Sequence, residues 1–122
     1  MSLFSSPEEK LFKAIEKSDV KRVRELLATG ANASALNKFK ITPLDACVEV
    51  LKNYVGRGGT DVYVHELDTI FNTKLIWDEL VRKGGSLHKY KDDPAFKQGF
   101  TVNFNKYGVL QSDLKFPAPK HS

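Results

Sequence analysis

The chain has 122 residues, and 19 Lys and Arg against 15 Asp and Glu leave a formal net charge of +4. That length suits one domain, 1–122, which can bury roughly two-thirds of its unfolded surface without metal or disulfide staples. With 41% hydrophobic and 28% charged residues, the composition excludes a disordered chain, and the mild charge does not announce a nucleic-acid binder.

Ser6-Pro7-Glu8-Glu9 reads as a helix start: Ser6 caps, Pro7 fits the first helical position and Glu9 completes a capping box. Leu11, Phe12, Ala14 and Ile15 give this helix one apolar side. It is short, because Ser18-Asp19 offers a fresh cap. Val20, Val23, Leu26 and Leu27 mark a second helix, and Gly30 sits where a left-handed stop is wanted. The two form a helical hairpin with a tight turn. Small residues come next, with a turn signal at Asn37-Lys38.

Thr42-Pro43-Leu44-Asp45 opens a third helix, with Asp45 as the capping-box carboxylate. Leu44, Cys47, Val48, Leu51 and Val55 repeat at helical spacing, and Gly56-Arg57-Gly58-Gly59 ends the pattern. Asp61 offers a cap to the next segment. Leu67, Ile70, Phe71, Leu75, Leu80 and Val81 form a longer amphipathic stretch ending at Gly84-Gly85, and Asn72-Thr73 leaves open whether it is one helix or two. Lys89 to Asp93 is a charged loop closed by Pro94. Phe100, Val102 and Phe104 alternate as in a half-buried strand, Asn105 to Gly108 suits a hairpin turn, and Val109, Leu110, Leu114 and Phe116 suit the return segment. Pro117 and Pro119 mark an exposed end. Phe96, Phe100, Phe104 and Phe116 are too many large apolar groups to leave in water, so the tail is expected to be structural.

The segment from Ala14 to Cys47 resembles the ankyrin repeat family. Asp19-Val20-Lys21-Arg22-Val23 looks like the turn into an outer helix, and Glu25 to Asn32 like its end and glycine-alanine stop. Thr42-Pro43-Leu44-Asp45-Ala46-Cys47 looks like the opening of the next inner helix, with Asp45 where histidine is usual. Leu80 to Leu87 resembles a second stop. The resemblance implies a mainly α fold of ankyrin-like stacked helical hairpins with a short C-terminal β-hairpin or extended tail. Residues 6–41 would be a first repeat, 42–93 an expanded second one, and 94–122 a cap or tail. About twenty residues, 52–73, exceed the ordinary repeat of about 33, so both helices of the second unit are expected to be lengthened.

No chemistry-bearing pattern competes well with this reading. Gly56 to Gly59 lacks the Gly-Lys-Ser/Thr of a phosphate loop, and His65 has Thr69 where a zinc motif needs histidine. Cys47, the one cysteine, lies at a core-facing step; it excludes an intrachain disulfide and favours a reducing, cytoplasmic setting. There is no apolar run of about 18 residues for a membrane span, and Met1 to Lys10 lacks the order of a signal peptide. Trp77 beside Ile76 and Leu80 reads as core. The expectation is a protein without cofactor or metal, not an enzyme, whose partner is another protein.

In the family the loop 36–41 is a finger that contacts partners, and the inner-helix face lines a concave groove. That resemblance implies Lys38, Phe39 and Lys40 on the finger and Asp45 and Glu49 on the third helix as partner-binding residues, with Tyr90 in the second loop and Arg57 in the insert. Asp45 and Glu49, four apart, are placed opposite the Leu44, Cys47 and Leu51 stripe. Two bland readings stand beside these: Phe39 packs under its loop, and the carboxylates are a solvated face. Lysines around an aromatic also suit single-stranded nucleic acid, but +4 and the lack of a second stacking platform weigh against it. A small inhibitor or immunity-type protein, bacterial or phage, that blocks a partner enzyme is the alternative function.

Overall fold

The computed structural model describes residues 6–52, 64–103 and 113–119, with backbone alone at 64–67, 103 and 113. In these segments the chain is mainly helical: α1 (Pro7–Glu16), α2 (Val20–Ala28), α3 (Pro43–Leu51) and α4 (Val64–Arg82) precede β1 (Phe100–Asn103) and β2 (Asp113–Phe116). The sequence signals at Val55, Gly56 to Gly59, Asp61, Phe104, Asn105 to Gly108, Val109 and Leu110 lie outside the described residues, as does Arg57.

Capping chemistry sets the first three helices. The Ser6 hydroxyl accepts from the Glu9 N–H at 3.1 Å, and the Asp19 carboxylate from the Arg22 N–H at 3.1 Å. At α3 the capping box is complete, with the Asp45 N–H donating to Thr42 Oγ1 and the Thr42 N–H to Asp45 Oδ2. The α1–α2 turn is tight enough to put Ser18 at φ 55°, a left-handed backbone for a residue with a side chain. Its buried hydroxyl lies 3.4 Å from that of Thr73 on α4. Gly30 ends the α2 region at φ 100°.

The α1 helix packs on α2 and on α3, and α4 packs on α3 and on α2, so two helix pairs lie side by side. Their shared core holds Leu11, Ile15, Val23, Leu44, Cys47, Leu51, Ile70, Trp77 and Leu80, each essentially inaccessible to solvent. Gly85 closes the α4 end where a side chain cannot fit, since a Cβ there would meet the Leu80 carbonyl oxygen at 2.8 Å.

One alternative left open is settled and three sequence expectations change. Asn72-Thr73 does not interrupt α4, because Thr73 turns its hydroxyl back to the Thr69 carbonyl at 2.7 Å and stays helical. The α3 helix is not lengthened, since it closes at Leu51 after nine residues, whereas α4 runs for 19; residues 53–63, in the middle of the expected insert, lie outside the described residues. Leu75 is 42% exposed, because the core line of α4 runs through Ile70, Ile76, Trp77 and Leu80 on another side. Pro117 is exposed, but Pro119 is buried.

The tail completes the core. β1 and β2 pair antiparallel, with Phe100 opposite Phe116 and Val102 opposite Leu114. The Phe100 and Phe116 rings stack at 4.5 Å, and Trp77 meets both edge-on at 5.1 and 5.9 Å. The Trp77 indole N–H donates to the Pro117 carbonyl at 2.7 Å, which satisfies the one polar atom of a buried ring. Among the described residues no helix is long and apolar enough to cross a membrane.

Candidate functional site

The loop 36–41 folds on its own hydrogen bonds. Asn37 Oδ1 accepts from the Phe39 N–H at 2.8 Å and the Ile41 N–H at 3.2 Å. Asn37 N–H donates to the Ile41 carbonyl and Lys40 N–H to the Asn37 carbonyl, both at 3.0 Å. Lys40 takes a left-handed φ of 64° to close the turn. The result is a built tip that holds Phe39 71% exposed, with Leu36 at 50%. The Lys38 ammonium lies 5.2 Å from the Phe39 ring centroid. Phe39 therefore does not pack under its loop.

Behind the tip the chain leaves two adjoining hollows of about 520 and 360 Å³. Both are lined by Phe12 and Glu16 of α1 and by Asn37 and Phe39 of the loop, so they read as one groove. One end adds Glu8, Glu9, Lys13, Leu36 and Lys38; the other adds Ile41 and the α3 residues Ala46, Glu49 and Val50. The α1–α3 contact brings these helix faces together, and the loop walls the side. Glu8 also accepts from the Asn32 N–H at 2.9 Å, tying the start of α1 to the end of the α2 stop.

Of the seven residues marked in the sequence, the structure brings Lys38, Phe39 and Glu49 to this groove, and Lys40 is exposed at the tip. Asp45 is a correction: it is 0% exposed and cannot face a partner. The first six residues of α3 are all buried, so this helix has no solvated side at Asp45. The segment 86–90 covers it. Asp45 accepts from the backbone N–H groups of His88, Lys89 and Tyr90 at 2.9–3.2 Å, besides that of Thr42. Thr42 adds its hydroxyl to the Ser86 carbonyl at 2.6 Å. This carboxylate is a structural clamp that fixes the second loop over α3.

The clamp in turn sets the far end of the groove. It places Tyr90 and Lys89 beside Glu49, where the Tyr90 hydroxyl donates to Glu49 Oε2 and the Lys89 ammonium lies 3.2 Å from it. Lys52 approaches the other oxygen at 3.4 Å. The Tyr90 bond, helped by the two lysines, holds the Glu49 carboxyl below its ordinary range, against the opposing pull of partial burial. Tyr90 itself is pushed up, by desolvation first and then by its bond to Glu49. Its ring packs on Phe96 at 5.5 Å. Tyr90 thus braces Glu49 and does not line the groove. Burial raises the Cys47 thiol far above its ordinary value, so it stays protonated in the core.

Sequence reasoning missed the α1 residues Glu8, Glu9, Phe12, Lys13 and Glu16 and the α3 residues Ala46 and Val50. Phe12 and Glu16 are one helical turn apart on α1, but only the finger's return beside them turns that face into a wall. Among the described residues no group of three His, Cys, Asp or Glu side chains is placed to hold a metal ion. Compared with family models, with curated proteins and with solved structures, the chain has no match.

Proposed function

We propose that this chain is a non-catalytic protein-binding module of ankyrin-like construction, with α1 and α3 as inner helices and 36–41 as the finger. One observation carries the reading: Phe39 stands 71% exposed on a hydrogen-bonded tip beside an open groove. An exposed aromatic on an ordered loop loses little conformational freedom on docking, which is what an interface anchor requires. The pairing of α1 with α2 and of α3 with α4, side by side, supports the repeat-like arrangement.

The test compares wild type with Phe39→Ala as bait for proteins from the native source, with both melting temperatures measured. The reading expects the variant to melt as wild type does and to bind its captured protein at least about five-fold more weakly. A large loss of stability would make Phe39 a structural residue. Equal binding at equal stability would place the interface elsewhere.

A further inference from the structure

We propose that the groove takes a short peptide segment in which apolar residues are interspersed with Lys or Arg. This rests on the protein-binding reading and names the chemistry of the partner. The groove is lined by four carboxylates, Glu8, Glu9, Glu16 and Glu49, against two amines, Lys13 and Lys38; Glu49 is paired with Lys89 and Lys52, so the acidic excess comes from Glu8, Glu9 and Glu16 on α1. The chain as a whole has the opposite sign, +4. The groove is therefore acidic on a basic protein, which focuses cations locally while the remaining surface repels them.

The carboxylates differ in availability. Glu49 is already held by Tyr90, Lys89 and Lys52, and Glu8 is bonded to the Asn32 N–H. Glu9 and Glu16 have no cation within 4 Å among the described residues, although Lys13 stands on the same helix. These two are the acceptors left for a partner's ammonium or guanidinium groups. Of the two lining amines, Lys38 lies over the Phe39 ring, and its carbon chain extends the apolar wall. The apolar requirement comes from Phe12, Leu36, Phe39, Ile41 and Val50, which line the same hollows. A purely charged ligand would leave them wet, and a purely apolar one would strip water from Glu9 and Glu16 without replacing it.

The experiment uses two fluorescein-labelled 12-residue peptides with identical Leu and Phe positions, one carrying Lys and Arg at the others and one carrying Asp and Glu. Each is titrated with the full chain, and with Glu9→Gln/Glu16→Gln and Phe39→Ala, by fluorescence anisotropy. The cationic peptide is expected to bind about ten-fold more tightly than the anionic one at low salt, and the preference should shrink at higher salt. The double variant should lose about two- to five-fold for the cationic peptide alone, and Phe39→Ala should weaken it at least about five-fold. An anionic peptide that binds as well or better, and is lost with Phe39→Ala, would overturn the charge class and leave the groove reading intact. A cationic peptide indifferent to Phe39→Ala would overturn both. A sedimenting dimer that Phe39→Ala dissolves would make a second copy the occupant and also overturn the proposal.

Discussion

Asp45 shows how one side chain can do two jobs in the same fold. It completes the cap of α3 and accepts from three consecutive N–H groups of residues 88–90. Replacing it with Ala strips those donors of their acceptor inside the protein, so Asp45→Ala should lower stability by about 2–4 kcal/mol in urea unfolding. Asp45→Asn, which keeps one acceptor oxygen, should fall between it and wild type. If Asp45→Ala cost nothing, the clamp would be dispensable. At Glu49 the Tyr90 hydroxyl is the largest cause of the lowered carboxyl pKa. Tyr90→Phe should therefore raise the Glu49 titration midpoint, followed by carboxyl-carbon NMR. The sign follows from linkage. A carboxyl lowered by folding adds stability above its unfolded pKa of about 4.3, and that stability is lost as pH falls through the lower folded value. Phe39 and Asp45 also mark the limits of local reading. Asp45 was legible as a cap because Thr42-Pro43 stand beside it. Its burial was not, because its covering N–H groups come from residues 43–45 positions away.

Among the elements, α4 and the C-terminal strands depend on each other. Trp77 on α4 is wholly buried, and Phe100, Phe116 and the Pro117 carbonyl pack against it. Phe96 and Phe116, both buried, each contribute about 1.5–3 kcal/mol, and the partly buried Phe100 adds less, against a total stability of about 5–15 kcal/mol for a domain. Deleting residues 94–122 should therefore abolish the cooperative melt or cause aggregation. An unchanged calorimetric transition would make the strands an appendage. The starts of the first three helices and the glycine stop after α2 were legible because caps and such stops are local chemistry. The strands were legible from the alternation of Phe100 and Val102. The continuity of α4 was left open, since Asn72-Thr73 allows one helix or two until the Thr73 hydroxyl is seen bonded within its own helix. The assignment of Leu75 to the core failed for a related reason: in a long helix packed on α2, α3 and β2, the packing and not the bare period decides which apolar residue is left outside.

For the whole molecule, the separation of charge from fold is the point with functional weight. The helices bury their apolar faces in one core, yet the α1 and α3 faces beside the finger stay open and carry most of their charge as carboxylate. The groove was legible only in outline: the finger was marked by Asn37-Lys38, whereas the contribution of Phe12 and Glu16 emerges from the pairing of α1 with α3. The central claim, docking through the finger and groove, is tested most directly by photo-crosslinking. Benzoylphenylalanine in place of Phe39 samples the finger, and in place of Leu75 it samples an exposed apolar position outside the groove lining. Mixed with the partner retained by wild type, the chain labelled at 39 should form the crosslinked product and the chain labelled at 75 should not. Crosslinking at 75 alone, or equally at both positions, would contradict the account.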